Sequence, residues 1–266
     1  MNPKAIILSG YGINCEEETK YAFELAEIKA EIVHINDLIS GEKKLNDYQI
    51  MAFPGGFSYG DDLGSGLAYA NKVKNNLWNE LIEFIEEDKL VIAICNGFQI
   101  LANLGLVPAF NKNYGEINVA LQHNDSARLV DRWIDLKVES NKSPWLKGID
   151  EISMPVAHGE GKFYAKPEVL QKLNEKKLIA VKYFKGEISE YQNLPANPNG
   201  ALEDIAGITD ESGRILGLMP HPERAIKFTN LPNWSLLKEK FKREGKEIPK
   251  YGDGLKIFKN AVDYFK

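Results

Sequence analysis

The chain has 266 residues, 44% of them hydrophobic and 27% charged, with a formal net charge of −5. That length can bury a full-sized core, and the acidic balance supplies no basic surface for nucleic acid. No apolar run approaches the ~18 residues of a membrane-spanning helix, Met1 to Lys4 leads straight into a short strand without a signal-peptide pattern, and two cysteines cannot build a disulfide framework, so the sequence reads as a reduced, cytoplasmic protein.

Lys4 to Leu8 is a short apolar strand, and Gly10-Tyr-Gly12 turns it toward a helix. Asn14 is placed as N-cap of that helix, with Glu17 three residues on and Glu16 to Glu18 complementing the positive helix end. Tyr21, Phe23, Leu25, Ala26 and Ile28 carry its apolar positions to about Ala30. Glu31 to Ile35 reads as a second strand, Ser40 to Asn46 as a polar linker and Gln49 to Phe53 as a third strand. Pro54-Gly55-Gly56-Phe57-Ser58-Tyr59-Gly60-Asp61 leaves that strand, and its glycines let a backbone turn sharply and approach a ligand. A long helix is expected from near Leu67 to Asp88, packed through Trp78, Leu81, Ile82 and Ile85. Leu90 to Ile94 is a strand buried on both faces, joined at Cys95 to a helix over Gly97 to Leu104 that ends at Gly105 before Pro108.

After Ala120 the pattern changes. Arg128 to Val138, Ile152 to Val156 and Ile179 to Phe184 read as antiparallel strands, with a short helix at Glu168 to Asn174. Arg214 to Met219 is a final strand, Leu231 to Lys250 a charged, solvated helix and loop, and Gly254 to Phe265 a closing amphipathic helix. The fold class is therefore α/β: a mostly parallel twisted sheet with helices on both faces and a mixed antiparallel extension, in one domain over residues 1–266 with a charged segment at about 231–250. In such a sheet ligands sit at the carboxyl ends of the strands, where both Cys95 and Gly55-Gly56 fall.

Cys95 admits two readings, a small buried residue closing a strand or a nucleophile. A tight strand-to-helix corner would lift its side chain above the sheet edge, beside unpaired N–H groups and a positive helix end that favour a thiolate and an oxyanion. A cysteine hydrolase also needs a base and a group to hold that base. Met219-Pro-His-Pro-Glu-Arg224 supplies both: the prolines bias the segment toward extended backbone, so His221 and Glu223 project to one side about 6–7 Å apart along the chain. Cys15 is the rival nucleophile, but three following glutamates oppose its ionisation and no His-x-Glu can be assigned to it. His34, His123, His158 and His221 lack metal-ligand spacing, so no metal is expected. Gly159-Glu160-Gly161-Lys162 lacks the rest of a phosphate loop, so no nucleotide is expected on this chain.

Taken together, Cys95-Asn-Gly-x-Gln99, Gly55-Gly-Phe-Ser-Tyr-Gly-Asp61, His158-Gly-Glu-Gly161 and Met219-Pro-His-Pro-Glu-Arg224 resemble class I (triad) glutamine amidotransferases, which have a flavodoxin-like architecture. More narrowly, the chain is similar to the glutaminase subunits of phosphoribosylformylglycinamidine synthase in purine biosynthesis, over roughly residues 4–228. Gly12-Ile-Asn-Cys15, Asn124-x-Ser126-x-Arg128, Arg132-Trp133 and Pro195-Ala-Asn-Pro-Asn-Gly200 add to the likeness. Leu63-Gly-Ser-Gly66 departs from the arginine usual in stand-alone subunits, and Leu231 to Lys250 has no counterpart.

The resemblance implies catalytic Cys95, His221 and Glu223, an oxyanion hole from the backbone N–H groups of Gly56 and Asn96, and L-glutamine held by Gly55, Gln99, His158 and Gly159. It also implies a large synthetase partner carrying ATP and Mg, with a small bridging subunit as a further candidate partner, and no cofactor on this chain. The alternatives are a triad glutaminase serving synthesis of CTP, GMP or imidazole glycerol phosphate, and a chaperone-like module with an elbow cysteine.

Overall fold

Four runs with every residue buried, Ile50–Phe53, Leu90–Ile94, Ile215–Leu218 and Ile205–Thr209, lie side by side in the middle of a nine-stranded sheet among the described residues. The computed structural model describes residues 3–266; Met1 and Asn2 lie outside the described residues. Strands β1 (Lys4–Ser9), β2 (Lys29–His34), β3 (Ile50–Phe53) and β4 (Leu90–Ile94) pair in parallel in the order β2-β1-β3-β4. Their connections carry α1 (Glu16–Leu25), α2 (Ile35–Ile39), α3 (Leu67–Asn76) and α4 (Trp78–Glu86), and α5 (Asn96–Leu104) follows β4. The chain steps one way along the sheet from β1 to β2 and the other way from β3 to β4. Right-handed crossovers therefore send α1 and the α3–α4 pair to opposite faces. The ligand crevice of this topology is the reversal between β1 and β3.

The second half contains β5 (Val119–Gln122), β6 (Val130–Val138), β7 (Glu151–His158), β8 (Lys162–Ala165), β9 (Ile179–Phe184), β10 (Ile205–Thr209) and β11 (Ile215–Leu218). Helices α6 (Pro167–Glu175), α7 (Glu187–Gln192), α8 (Trp234–Arg243) and α9 (Gly254–Asp263) complete the chain. β11 lies parallel beside β4, so its carboxyl end meets the same edge; β10, β9, β6 and β7 then continue the sheet antiparallel. β5 and β8 form a separate two-stranded ribbon. α9 packs on α1 and α3 on α5, which completes the two helical layers. No helix is long and apolar enough to cross a membrane among the described residues.

Three expectations need correction. The helix expected over 67–88 is two helices broken at Leu77 (φ −132°, ψ 13°). Asn75-Asn76 are weak helix formers, and the break turns Leu77 into the core. Helix α1 begins at Glu16 with Cys15, not Asn14, at its N-cap position, and the Asn14 Oδ1 accepts the Cys15 thiol at 3.3 Å instead of capping a helical N–H. Part of the stretch between β2 and β3 is also helical, since His34 Nδ1 accepts the Asn36 N–H at 3.2 Å and starts α2. The charged segment folds as α8, which has no buried residue and touches the body through Phe241 against Phe228, 6.0 Å between ring centres.

Gly97 fixes how closely α5 approaches β3. A Cβ there would lie 1.9 Å from the Phe53 carbonyl oxygen, which belongs to sheet backbone and cannot yield. Gly97→Ala is expected to cost about 3 kcal/mol of stability by overpacking, read from the urea midpoint; an unchanged midpoint would show that α5 can shift freely.

Candidate active site

Cys95 occupies the corner between β4 and α5 with φ 53° and ψ −109°, a conformation that an L-residue adopts only under constraint. The constraint is visible on both sides. Cys95 N–H donates to Leu218 O at 2.7 Å, fixing the corner to the end of β11, and Gln99 N–H donates to Cys95 O at 3.1 Å as α5 begins. The thiol points toward Ala157 O on β7 at 3.7 Å.

His221 and Glu223 enter the same edge from the end of β11. His221 N–H donates to Pro155 O of β7 at 2.9 Å, so the antiparallel extension curls back to hold the segment. The two side chains meet differently from the extended geometry expected from the prolines. Pro222–Arg224 is a single 3-10 turn, and that turn brings His221 Nδ1 within 2.5 Å of Glu223 Oε1. The pair is almost wholly buried. Burial opposes charging the imidazole, but Glu223, with Cys95 and Cys15 beside it, outweighs this and holds His221 well above the ordinary histidine range. Both thiols lie against the ring, while Nε2 and Glu223 Oε2 remain without a well-formed hydrogen bond.

Gly55 explains how these segments can converge. A Cβ at Gly55 would fall 2.8 Å from His221 Cε1, 2.9 Å from Cys15 Sγ and 3.5 Å from Cys95 Cβ. Its carbonyl accepts the N–H groups of both Asn14 and Cys15 at 3.2 Å. In a planar trans peptide this turns the Gly56 N–H the opposite way and locks it. Gly56 (φ 153°) has no room for a side chain, because a Cβ would meet Gly12 O and Ile13 Cα at 2.7 Å. The Asn96 N–H, in the first turn of α5, has no intrahelical acceptor. The buried Asn96 side chain accepts Ser58 N–H at 3.2 Å and donates to Asp61 Oδ1 at 3.2 Å, tying the Gly55–Asp61 loop to the cysteine corner.

The sequence reading of Cys15 is overturned in one respect: the His221-x-Glu223 pair lies against it as well as against Cys95. Its thiol is pushed up to about 11, mainly by burial rather than by the following glutamates. Glu18 is taken up by Arg224, whose Nη2 also donates to Cys15 Sγ at 3.1 Å.

Beside Cys95 lies a cavity of ≈ 110 Å³, lined by Gly56, Asp61, Gln99, His158, Gly159 and Glu160 among others, with exposed Phe57 and Leu129 at its mouth. Gly55 does not line it and serves as the floor under His221. Gln99 is engaged within the wall: Nε2 donates to Glu160 O at 2.6 Å and Oε1 accepts Asn96 Nδ2 at 2.8 Å. His158 is held on both ring nitrogens, Nδ1 by Asn124 Oδ1 at 3.2 Å and Nε2 by Asn199 Nδ2 at 3.4 Å. Asn124 Oδ1 also accepts Gly161 N–H, and Asn199 Nδ2 also donates to Gly161 O, which fixes both amides and hence a neutral, Nδ1-protonated imidazole. These asparagines were visible in sequence only as motif letters, since nothing local ties residues 124 and 199 to 158. Burial, with His221 adding to it, pushes His158 down to about 4.

Two outcomes follow. The unfolded chain binds a proton on residue 158 near pH 6.5 and the folded chain only near 4, so stability falls as pH drops through that window, by about 3 kcal/mol. His158→Gln should remove this acid-side slope in urea unfolding measured at several pH values; an unchanged slope would place the loss elsewhere. At position 95 the usual order of alanine and glycine should reverse: Cys95→Gly should unfold at higher urea than Cys95→Ala by about 1 kcal/mol, because glycine accepts the left-handed corner.

The comparisons with known proteins agree with this geometry. A family model described as "CobB/CobQ-like glutamine amidotransferase domain" matches residues 2–265. The chain is 51% identical over 265 residues to phosphoribosylformylglycinamidine synthase subunit PurQ of Methanococcus maripaludis, covering 99% of this chain and 97% of that one. It is 47% identical over 262 residues to the PurQ subunit of Dehalococcoides mccartyi, covering 98% and 97%. A solved structure of PurLQS from Thermotoga maritima superposes with a TM-score of 0.73 at 30% identity over 100% of both chains. The chain therefore belongs to the CobB/CobQ-like glutamine amidotransferase family.

Proposed function

We propose that this chain is the glutaminase subunit of a cytoplasmic phosphoribosylformylglycinamidine synthase, acting in purine biosynthesis. The observation that carries the reading is the buried His221–Glu223 pair at 2.5 Å, set against a cysteine in a left-handed corner beside an open cavity. Glu223 holds His221 Nδ1 and leaves Nε2 for proton transfer. A rotation of the Cys95 side chain away from Ala157 O aligns the thiol with it.

The Cys95 sulfur, its proton passed to His221, attacks the side-chain amide carbon of L-glutamine. Negative charge collects on the amide oxygen, where the Gly56 and Asn96 N–H groups receive it; one such donor is worth roughly 3–4 kcal/mol. Because the Gly55 carbonyl is already pinned by two N–H groups, the Gly56 donor needs no reorientation when the charge appears. His221 protonates the departing ammonia, leaving a thioester on Cys95. It then takes a proton from water, which cleaves the thioester to glutamate. Gln99, His158 and Gly159 build the cavity wall that receives the glutamine, with Gln99 and His158 acting as framework through the bonds they already make. Ammonia passes to a large synthetase partner that carries ATP and Mg and converts formylglycinamide ribonucleotide to the amidine; a small bridging subunit completes the assembly. Exposed Phe57 and Leu129 at the cavity mouth suit that partner's approach.

In the reconstituted complex, Cys95→Ala is expected to abolish glutamine-dependent synthesis while ammonia-dependent synthesis continues. An electrophilic glutamine analogue should label Cys95 and be blocked by glutamine. Loss of both activities in Cys95→Ala, or labelling at Cys15 instead, would overturn the assignment.

A further inference from the structure

Around the His221–Glu223 pair a set of side chains converges that is not among the residues lining the cavity. Cys15 Sγ, a Glu18 carboxylate oxygen, a His221 ring nitrogen and a Glu223 carboxylate oxygen all lie within 4.8 Å of one another. Two buried atoms of these residues, His221 Nε2 and Glu223 Oε2, have no hydrogen-bond partner among the described residues, and both residues are 2% exposed or less. A thiol, an imidazole and two carboxylates are the donor set of a borderline-soft divalent cation, and four ligands about 2.0–2.3 Å from a common centre stand within reach of this spacing.

We infer that Cys15, Glu18, His221 and Glu223 form a binding site for a thiophilic divalent cation such as Zn²⁺, and that filling it silences the glutaminase. Arg224 is the group that now occupies the outer side of the cluster, donating to Glu18 Oε1 at 2.8 Å and to Cys15 Sγ at 3.1 Å. Its side chain is 34% exposed, so it can swing into water as the cation takes over its two anionic partners. The cation takes the imidazole and carboxylate out of proton transfer and leaves Cys95 without its base. Nothing in the nucleophile is required for the binding itself; the silencing, though not the binding, rests on the glutaminase reading.

The site separates cleanly from ordinary thiol capture at Cys95. Zn²⁺ titrated calorimetrically into the full chain should bind with one strong equivalent, and Cys95→Ala should bind it as tightly. Cys15→Ser should weaken the affinity by at least ~10–100-fold, the loss seen on disturbing metal-site partners, and Glu18→Gln should weaken it in the same direction even if Cys15→Ser fails to fold. With Co²⁺ as probe, a single thiolate charge-transfer band should appear in wild type and in Cys95→Ala and be absent in Cys15→Ser. The zinc-loaded wild-type chain should resist labelling by the glutamine analogue, and a chelator should restore it. Loss of binding in Cys95→Ala, or unchanged affinity in both Cys15→Ser and Glu18→Gln, would overturn the site; undiminished labelling of the zinc-loaded chain would overturn its inhibitory effect.

Discussion

An imidazole and a carboxylate buried together are costly to withdraw from water, and removing one partner leaves the other uncompensated in a low-dielectric interior. In this molecule that pair, His221 with Glu223, sits where five parts of the chain meet. β11 delivers it, β7 holds its backbone through Pro155, Gly55 makes room beneath it, and the Cys15 and Cys95 side chains flank the ring. The arrangement survives because each segment is tied by backbone bonds that do not depend on the charged groups. Glu223 then keeps the base in one orientation without help from solvent.

The same economy governs the peptide between Gly55 and Gly56. An amide gripped at its carbonyl cannot rotate, so its N–H keeps one direction. Here two N–H groups at the start of α1 grip the carbonyl, and the Asn96 side chain grips the loop beyond. The left-handed corner at Cys95 is strained in isolation. It is sustained by the bond to Leu218 and by α5 packed at glycine distance on β3. Strain at Cys95 and rigidity of the Gly55–Gly56 peptide are two consequences of one compact edge. The cluster of Cys15 and Glu18 is a third, since the N–H groups that pin the peptide belong to the segment that carries the Cys15 thiol to the imidazole.

The antiparallel half of the sheet is more than an added layer. β7 turns its carbonyls at 155 and 157 toward His221 and Cys95, and the loop after it closes the cavity. That loop is rigid because Asn124 and Asn199 clamp a neutral His158, whose side chain thereby acts as structure while the backbone around it borders the cavity.

Alternation of apolar runs with helical patterns was sufficient to read the parallel strands and the sheet edge at which Cys95, His221 and Glu223 meet. These are local signals: a buried strand must be apolar throughout, a sharp corner needs small neighbours, and a base needs its carboxylate close by. Local signals also misled where a neighbour intervened, as when Pro222 closed a 3-10 turn in place of an extended segment and Leu77 broke a continuous helical pattern to fill the core. Only the tertiary structure decided that β7 would curl back onto the site, that residues 124 and 199 would clamp residue 158, and that Cys15 would share the imidazole with Cys95. Those contacts join residues 34 to 206 positions apart, as between Asn124 and His158 or Glu18 and Arg224, and no periodicity along a chain encodes a meeting that depends on how the layers pack.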